Sequence, residues 1–510
     1  MSASLRPLVA ISALLAPPGR VVDAVLAFAA NPADADLAVA VAPERAAALA
    51  DLIEAEASRR GVALDADIAL VECTDRAALR AMLAGADRVL DTGCAYLAAD
   101  AAHDAGADAA AATGRAPLDL VLVNTYPSDP PRTGGGVRIH ALWGAMPADV
   151  GARAVTIAHW DAGADEVELT RARPGTERQV AFWPELVAAI RQVSSVAGVV
   201  SDDLAAGLAV QPGDPFGRAL AETLRDRADG IVLCHPFLVR QALAAAPDLP
   251  VVYDSHNVEA DLKAAMYRDD PGGREAARMV AELEAEACAR ARLIVCCTEA
   301  DRERLQERFG VPAERIHVIP NGVALDDAVH TPWAQRAARA PRCVFAGSAH
   351  GPNVEAGAVV AAAANLLPDV GFDLIGDVGG ALPADALPAN VVAHGRVSDV
   401  EKQRLFHEAT LALNPMRTGS GSNLKVADYA AAGLPVVTSA TGARGFAAEL
   451  VDCFAVCEPE PAALAAAVRA ALGADWSART GRARAIVEAE YDWRTLARRY
   501  ADLLHATLAP

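Results

Sequence analysis

Short runs of Val, Ile and Leu alternate from end to end with alanine-rich segments of helical length. "DLVLVNTYP", "RAVTIAH", "GIVLCHP", "PVVYDSHN", "RLIVCCT", "RCVFAG", "GFDLIG", "LALNP" and "PVVTSA" each carry a continuous apolar core. Such a run has no polar face, so as a strand it needs cover on both sides. Buried strands separated by helical crossovers form parallel sheets wrapped by helices. The expected class is α/β.

A chain of 510 residues exceeds one domain. "ATGRAPLD" is a polar joint with Gly and Pro near residue 115, just before a strong strand, and "LDDAVHTPWAQRAARAPR" is a second joint near 325–341. Three α/β units are expected: 1–115, 116–325 and 340–485. The closing stretch "DWRTLARRYADLLHATL", within 490–510, places Leu496, Tyr500, Leu503 and Leu504 on one helical face.

The chain holds 46 basic and 66 acidic side chains, a net charge of −20, and no local run of Lys or Arg. An acidic surface repels nucleic acid and anionic lipid, so no nucleic-acid partner is expected and membrane association is peripheral at most. No apolar run approaches the roughly 20 residues of a membrane span. "PLVAISALLAPPG" reads as a strand and turn rather than a signal segment. Nine scattered cysteines match neither a zinc site nor a complete disulfide framework, so buried free thiols and a cytoplasmic location are expected.

The most informative loop is "NPMRTGSGSNLKVADYAAAGLPVV", residues 414–437. It follows a buried strand, at whose carboxyl end an α/β sheet binds ligands. Gly419 and Gly421 let backbone approach a ligand, with Ser420, Ser422, Asn423 and Leu424 leading into a helix. The positive end of that helix favours an anion, and Arg417 and Lys425 add full charge. A diphosphate needs all of these features. Taken alone, the loop also fits a flexible turn with a surface lysine. Asp428 lies one turn after Lys425, placed either to meet a ribose diol or to pair with a neighbouring cation.

Other strand ends repeat the theme. Gly347 and Ser348 follow "RCVFA", and Gly134, Gly135 and Gly136 lie between a strand and a helix. Neither the Gly134–Gly136 stretch nor the Gly419–Gly421 loop matches the dinucleotide fingerprint, because Ile139 and Leu424 occupy the third glycine position. His256 follows "PVVYDS", with Asp254, Asn257 and Glu259 around it. A histidine there can hydrogen-bond a sugar hydroxyl, or it can be structural.

Taken in order, "GGGVR", "PVVYDSHN", "CTEADRERL", "RIHVIPNGV", "VFAGSAHGPN", "HGRVSD", "GSGSNLKVADYAAAGLPVV" and "YDWRTLARRYADLL" resemble the glycosyltransferases of family 4 over residues 117–508. The resemblance implies a GT-B fold, two Rossmann-like parallel-sheet domains facing a cleft. It also implies retaining, metal-independent transfer from a nucleotide sugar to a glycan, lipid-linked or small-molecule acceptor, as in polysaccharide biosynthesis. Residues 340–485 would bind the donor and 116–325 the acceptor, with the last helix crossing back.

By motif, Arg417 and Lys425 would grip the diphosphate. Asp428 would hold the ribose, His256 would lie near the donor sugar, and Gly395, Arg396 and Val397 near the base. No metal or other cofactor is implied. The chain departs from the pattern at the family's paired glutamates, which are here Ser420 and Asp428. Another GT-B enzyme, such as a sugar-nucleotide epimerase, or a non-catalytic sugar-nucleotide scaffold are the competing readings.

The first 115 residues read as a faint copy of the third unit. Ala86 to Asp91 matches Ala409 to Asn414, and Gly106 matches Gly433, but "TGCAYLAAD" replaces "RTGSGSNLKVAD". This unit reads either as a degenerate nucleotide-binding half without donor binding or as a chance likeness of alanine-rich α/β composition.

Overall fold

The computed structural model describes residues 8–12, 36–41, 68–72, 88–90, 115–131, 133–158, 166–170, 175–325, 328, 330–383, 387–419 and 422–508. The chain divides into two compact units, Met1–Gly114 with Thr170–Gly175, and Arg115–Leu169 with Thr176–Pro510.

In the first unit, strands β1 (Leu8–Ser12), β2 (Asp36–Val41), β3 (Ile68–Glu72) and β4 (Arg88–Leu90) form a parallel sheet in the order β3-β2-β1-β4. Gly106 and the "TGCAYLAAD" stretch lie outside the described residues.

The second unit holds two sheets. The larger contains β5 (Leu118–Asn124), β6 (Val150–Ala158), β7 (Glu166–Thr170), β8 (Thr176–Ala181), β9 (Gly230–Leu233), β10 (Val251–Ser255), β11 (Ala291–Cys296) and β12 (Ile316–Val318). Their order is β12-β11-β10-β9-β5-β6-β8-β7. The smaller contains β13 (Arg342–Ala346), β14 (Gly371–Ile375), β15 (Val391–Gly395), β16 (Leu411–Asn414), β17 (Val436–Thr438) and β18 (Ala455–Val456). Its order is β15-β14-β13-β16-β17-β18, and every pair in it is parallel. Right-handed crossovers between such strands send helices to both faces. The strand order β3-β2-β1-β4 is that of β15-β14-β13-β16. It is also that of β8-β6-β5-β9, so it fits any doubly wound unit as well as the suggested copy.

The apolar runs behave as doubly buried strands. Along β5 the side chains alternate between two cores, as a period of two requires. Val121 and Val123 join Phe216, Leu238, Val280 and Leu283 on one face. Leu118, Leu120 and Leu122 join Ile139, Leu142 and Trp143 on the other. That second face is closed by the last helix, Trp493–Leu508, through Leu496, Tyr500, Leu504 and Leu508. Each such side chain contributes about 1.5–3 kcal/mol by leaving water. Leu503 lies at the edge of the stripe, half-buried.

Two segments join the sheets. Residues 319–341 lead from the larger to the smaller, and 491–493 return, meeting at a parallel bridge between Val323 and Asp492. Buried Arg336 pins the first segment by donating to the carbonyls of Thr331, Phe406, Ala409 and Ala432. Both sheets reverse their strand order at one point, between β5 and β9 and between β13 and β16. Crevices open beyond the carboxyl ends at such points, and the loops found there carry the residues singled out above. Among the described residues, no helix is long and apolar enough to cross a membrane.

Candidate functional site

On the smaller sheet, β16 ends at Asn414, and the chain passes through 415–423 into the helix Leu424–Ala431. Gly419 adopts φ 139°, which a side chain would resist. Ser420 and Gly421 lie outside the described residues. Lys425, in the first turn, donates to Asn353 Oδ1 at 2.7 Å and stands 4.5 Å from the centre of the Phe345 ring. Among the described residues, no carboxylate forms an ion pair with it. Burial alone pushes its ammonium down to about 7. An amine left without a counter-charge at a helix N-terminus is prepared for an anion from outside.

The neighbouring strand end supplies the support. β13 leads to Gly347, whose N–H donates to the Ile375 carbonyl. Asn353 reaches Ser348 Oγ with its amide nitrogen at 3.2 Å while accepting from Lys425, so one side chain ties the β13 turn to the loop after β16. Gly395 adopts φ 64°, and Arg396 pairs with Asp377 at 2.7 Å. Val397 is half-buried against the core of the smaller sheet.

Two expected contacts are engaged elsewhere. Arg417 donates to the Pro459 carbonyl and pairs with Glu460 at 2.9 Å, away from Lys425. Asp428 stands 3.6 Å from Lys402. Both pairings join residues far apart in sequence, which local spacing does not reveal.

On the larger sheet, Gly134–Gly136 form the first turn of the helix Gly134–Gly144 rather than a loop before it. Thr133 caps this helix, its side chain accepting from the Gly136 N–H at 3.1 Å. Close approach explains the glycines: a Cβ on Gly135 would stand 2.1 Å from Tyr126 Oη and 3.1 Å from His256 Nδ1. A Cβ on Gly134 would lie 3.6 Å from Leu424 Cδ1, so this turn faces the start of the Lys425 helix.

Among the described residues, His256, only 6% exposed, has no hydrogen-bond partner at either ring nitrogen, and Asp254 Oδ2, 3.9 Å away, has none either. Burial, then the nearby Arg138 cation, hold its pKa well below the usual 6.5. It is therefore a neutral imidazole, offering one donor and one acceptor. Asn257 donates to Glu259 Oε1 at 3.1 Å, and burial pushes Glu259 up to about 8.

His235 was not singled out from sequence. Its ring meets that of His256 edge-on, with centroids 4.6 Å apart, and its Nδ1 lies 3.1 Å from Asn124 Oδ1. The signal was present: His235 follows β9 as His256 follows β10, and those strands are neighbours. Tyr126, Asn353 and Arg138 were also missed, because each acts through a residue distant in sequence.

A cavity of about 1070 Å³ lies elsewhere, lined in part by Thr298, His317, Phe446, Arg482 and Tyr491. It includes neither Lys425 nor His256. Its three arginines, Arg302, Arg482 and Arg499, face four carboxylates, Glu299, Glu449, Glu490 and Asp502, which leaves no excess charge for a diphosphate.

The sequence profile of Glycosyltransferase Family 4 matches residues 156–327, and that of Glycosyl transferases group 1 matches residues 340–474. No curated protein matches the chain in sequence. Solved structures do match in fold. Sucrose-phosphate synthase from Thermosynechococcus elongatus superposes with a TM-score of 0.57 at 15% identity, over 76% of this chain and 98% of that one. HepE of Anabaena, in complex with UDP and glucose, gives 0.54 at 16% identity, over 76% and 100%. The UDP-forming α,α-trehalose-phosphate synthase from Burkholderia vietnamiensis gives 0.54 at 16% identity over the same shares. At these identities the likeness is one of fold. The two profiles together span more than half of the chain, one on each sheet and in order, and the chain belongs to the family 4 glycosyltransferases of GT-B fold.

Proposed function

We propose that the enzyme transfers a sugar, with retention and without a metal, from a nucleoside-diphosphate sugar to an acceptor hydroxyl. The diphosphate lies at the start of the helix Leu424–Ala431, against Lys425. The donor sugar reaches the Gly134–Gly136 turn and His256, and the acceptor lies against the larger sheet. The observation that carries this reading is Lys425, half-buried at a helix N-terminus with no carboxylate paired to it among the described residues.

Cleavage of the sugar–phosphate bond builds negative charge on the departing diphosphate. An ammonium and helix N–H groups already in place stabilise that charge most as the bond breaks. Neutral His256 can hydrogen-bond a sugar hydroxyl without repelling the positive charge that develops at the anomeric carbon. Arg417 joins the grip by exchanging Glu460 for phosphate. Both partners are exposed, so their pairing is weak and the exchange costs little. Asp428 reaches the ribose in the same way, by releasing Lys402. HepE, solved with UDP and with UDP-glucose, makes a UDP-sugar the first donor to try.

The experiment is a thermal-shift panel of UDP, GDP, ADP, CMP and dTDP on wild type and Lys425→Ala. A ligand at about 100 times its Kd adds roughly 2.7 kcal/mol of stability. One nucleotide that shifts wild type and not the variant supports the site. No shift with any of them refutes it. Glycan, lipid-linked and small-molecule acceptors are then screened for transfer with the matching sugar nucleotide.

A further inference from the structure

Arg138 belongs to the helix Gly134–Gly144, yet its side chain is fully buried. A guanidinium only donates hydrogen bonds. Nη1 donates to the Ile319 and Pro320 carbonyls at 3.0 and 3.2 Å and to Asn321 Oδ1 at 3.2 Å. Nη2 donates to Asp254 Oδ1 at 3.1 Å, two residues before His256. Because Arg138 cannot accept, Asn321 must turn its amide oxygen toward it. The amide nitrogen then points the other way and donates to Ser422 Oγ at 3.0 Å.

Ser422 is thus an acceptor on this side, and its own hydroxyl proton is left to donate elsewhere. The residue is also held from a second direction. Gly445 adopts φ 86°, and a Cβ there would lie 2.7 Å from both Ser422 Cβ and Thr298 Cγ2. Ser422 stands two residues before the helix that carries Lys425. The positive end of that helix favours an anion as the acceptor for this proton.

We propose that Arg138 and Asn321 are positioning residues that fix the direction of the Ser422 hydroxyl, so that it donates to a diphosphate oxygen of the donor. The inference rests on the donor-site reading above. Neither residue touches the ligand. The same guanidinium holds Asp254, so one buried cation registers the His256 side of the cleft against the Lys425 side.

The test is a double-mutant cycle read by nucleotide affinity, using whichever of UDP, GDP, ADP and dTDP binds wild type most tightly. Ser422→Ala should weaken binding about tenfold, the worth of one hydrogen bond to a charged group. Asn321→Ala should weaken it about fivefold, and the double variant should match Ser422→Ala within about twofold, because the two act in series. The melting temperature of each free variant separates this effect from loss of fold. Asn321→Asp is the second variant. It keeps the shape and the Arg138 contact but offers Ser422 an acceptor, so the hydroxyl turns inward and affinity falls at least as far as in Asn321→Ala. Unchanged affinity in Asn321→Ala, or losses that add in the double variant, would overturn the proposal. If wild type binds none of the four nucleotides, the donor-site reading fails first and takes this inference with it.

Discussion

Raising the pH should weaken donor binding through Lys425. In the free protein its ammonium is pushed down to about 7 by burial, with Asn353 and Phe345 as its contacts. If only the ammonium form binds a diphosphate, the apparent affinity scales with the protonated fraction. That fraction falls from roughly nine-tenths at about pH 6 to roughly one-tenth at about pH 8, so Kd should rise about tenfold over this span. The probe is UDP-glucose, or the sugar nucleotide selected by the panel, because its doubly esterified diphosphate does not titrate in this range. Isothermal calorimetry at several pH values, in buffers of different ionisation enthalpy, reads both Kd and proton uptake. Lys425→Arg, which stays charged, should give a flat profile. Lys425→Ala should bind weakly at every pH, and any slope it retains measures other groups, Glu259 first among them. A flat wild-type profile, or the same slope in Lys425→Ala, would refute the reasoning.

Other expectations concern stability. Lys425→Met should raise the melting point of the free protein while weakening nucleotide binding as Lys425→Ala does, since it removes a half-buried amine whose desolvation costs roughly 1–3 kcal/mol near neutral pH. Burial lifts Glu284 from 4.5 to about 7 and Glu259 to about 8, so the folded chain holds these protons more tightly than the unfolded one. Their contribution to stability, read by denaturant titration as the difference between wild type and Glu-to-Gln variants, should therefore fall as pH rises from about 5 to about 8, while His235, His256 and Lys425, all held down by burial, act in the opposite sense. Glu284→Gln should flatten part of that fall while weakening the helix Glu259–Met266, whose first N–H groups Glu284 accepts. Arg336→Met should cost about 3 kcal/mol or more by urea unfolding, because the carbonyls of Thr331, Phe406, His407, Ala409 and Ala432 each lose a donor in the buried joint. Gly445→Ala should both destabilise the fold by about 1–3 kcal/mol and weaken nucleotide binding, since the added carbon displaces Ser422. Normal affinity in that variant would argue against a role for Ser422.

The parallel sheets were legible because their evidence is local. An apolar run such as Leu120–Val123 needs cover on both faces wherever it lies, and β5 shows that cover, one core per face. The loops of interest were legible for a related reason. Glycines and polar residues that follow an apolar run mark a strand's carboxyl end, and Gly347, Gly419 and His256 all stand at one. The glycines at 134–136 carried a weaker message. Sequence marks them as a turn, but they begin a helix capped by Thr133, and Gly135 lacks a side chain because Tyr126 and His256 crowd against it.

What the sequence by itself determined is the order of elements and the chemistry available at each strand end. Both follow from side-chain period and backbone freedom within a few residues. Tertiary structure alone decided which charges meet. Arg417 and Glu460, Asp428 and Lys402, Arg138 with Asp254 and Asn321, and His235 against His256 are pairings across separate elements. A cation written into a loop has no partner until the chain folds. Whether it meets a carboxylate, as Arg417 does, or stands without one among the described residues, as Lys425 does, depends on which strands the sheet sets side by side.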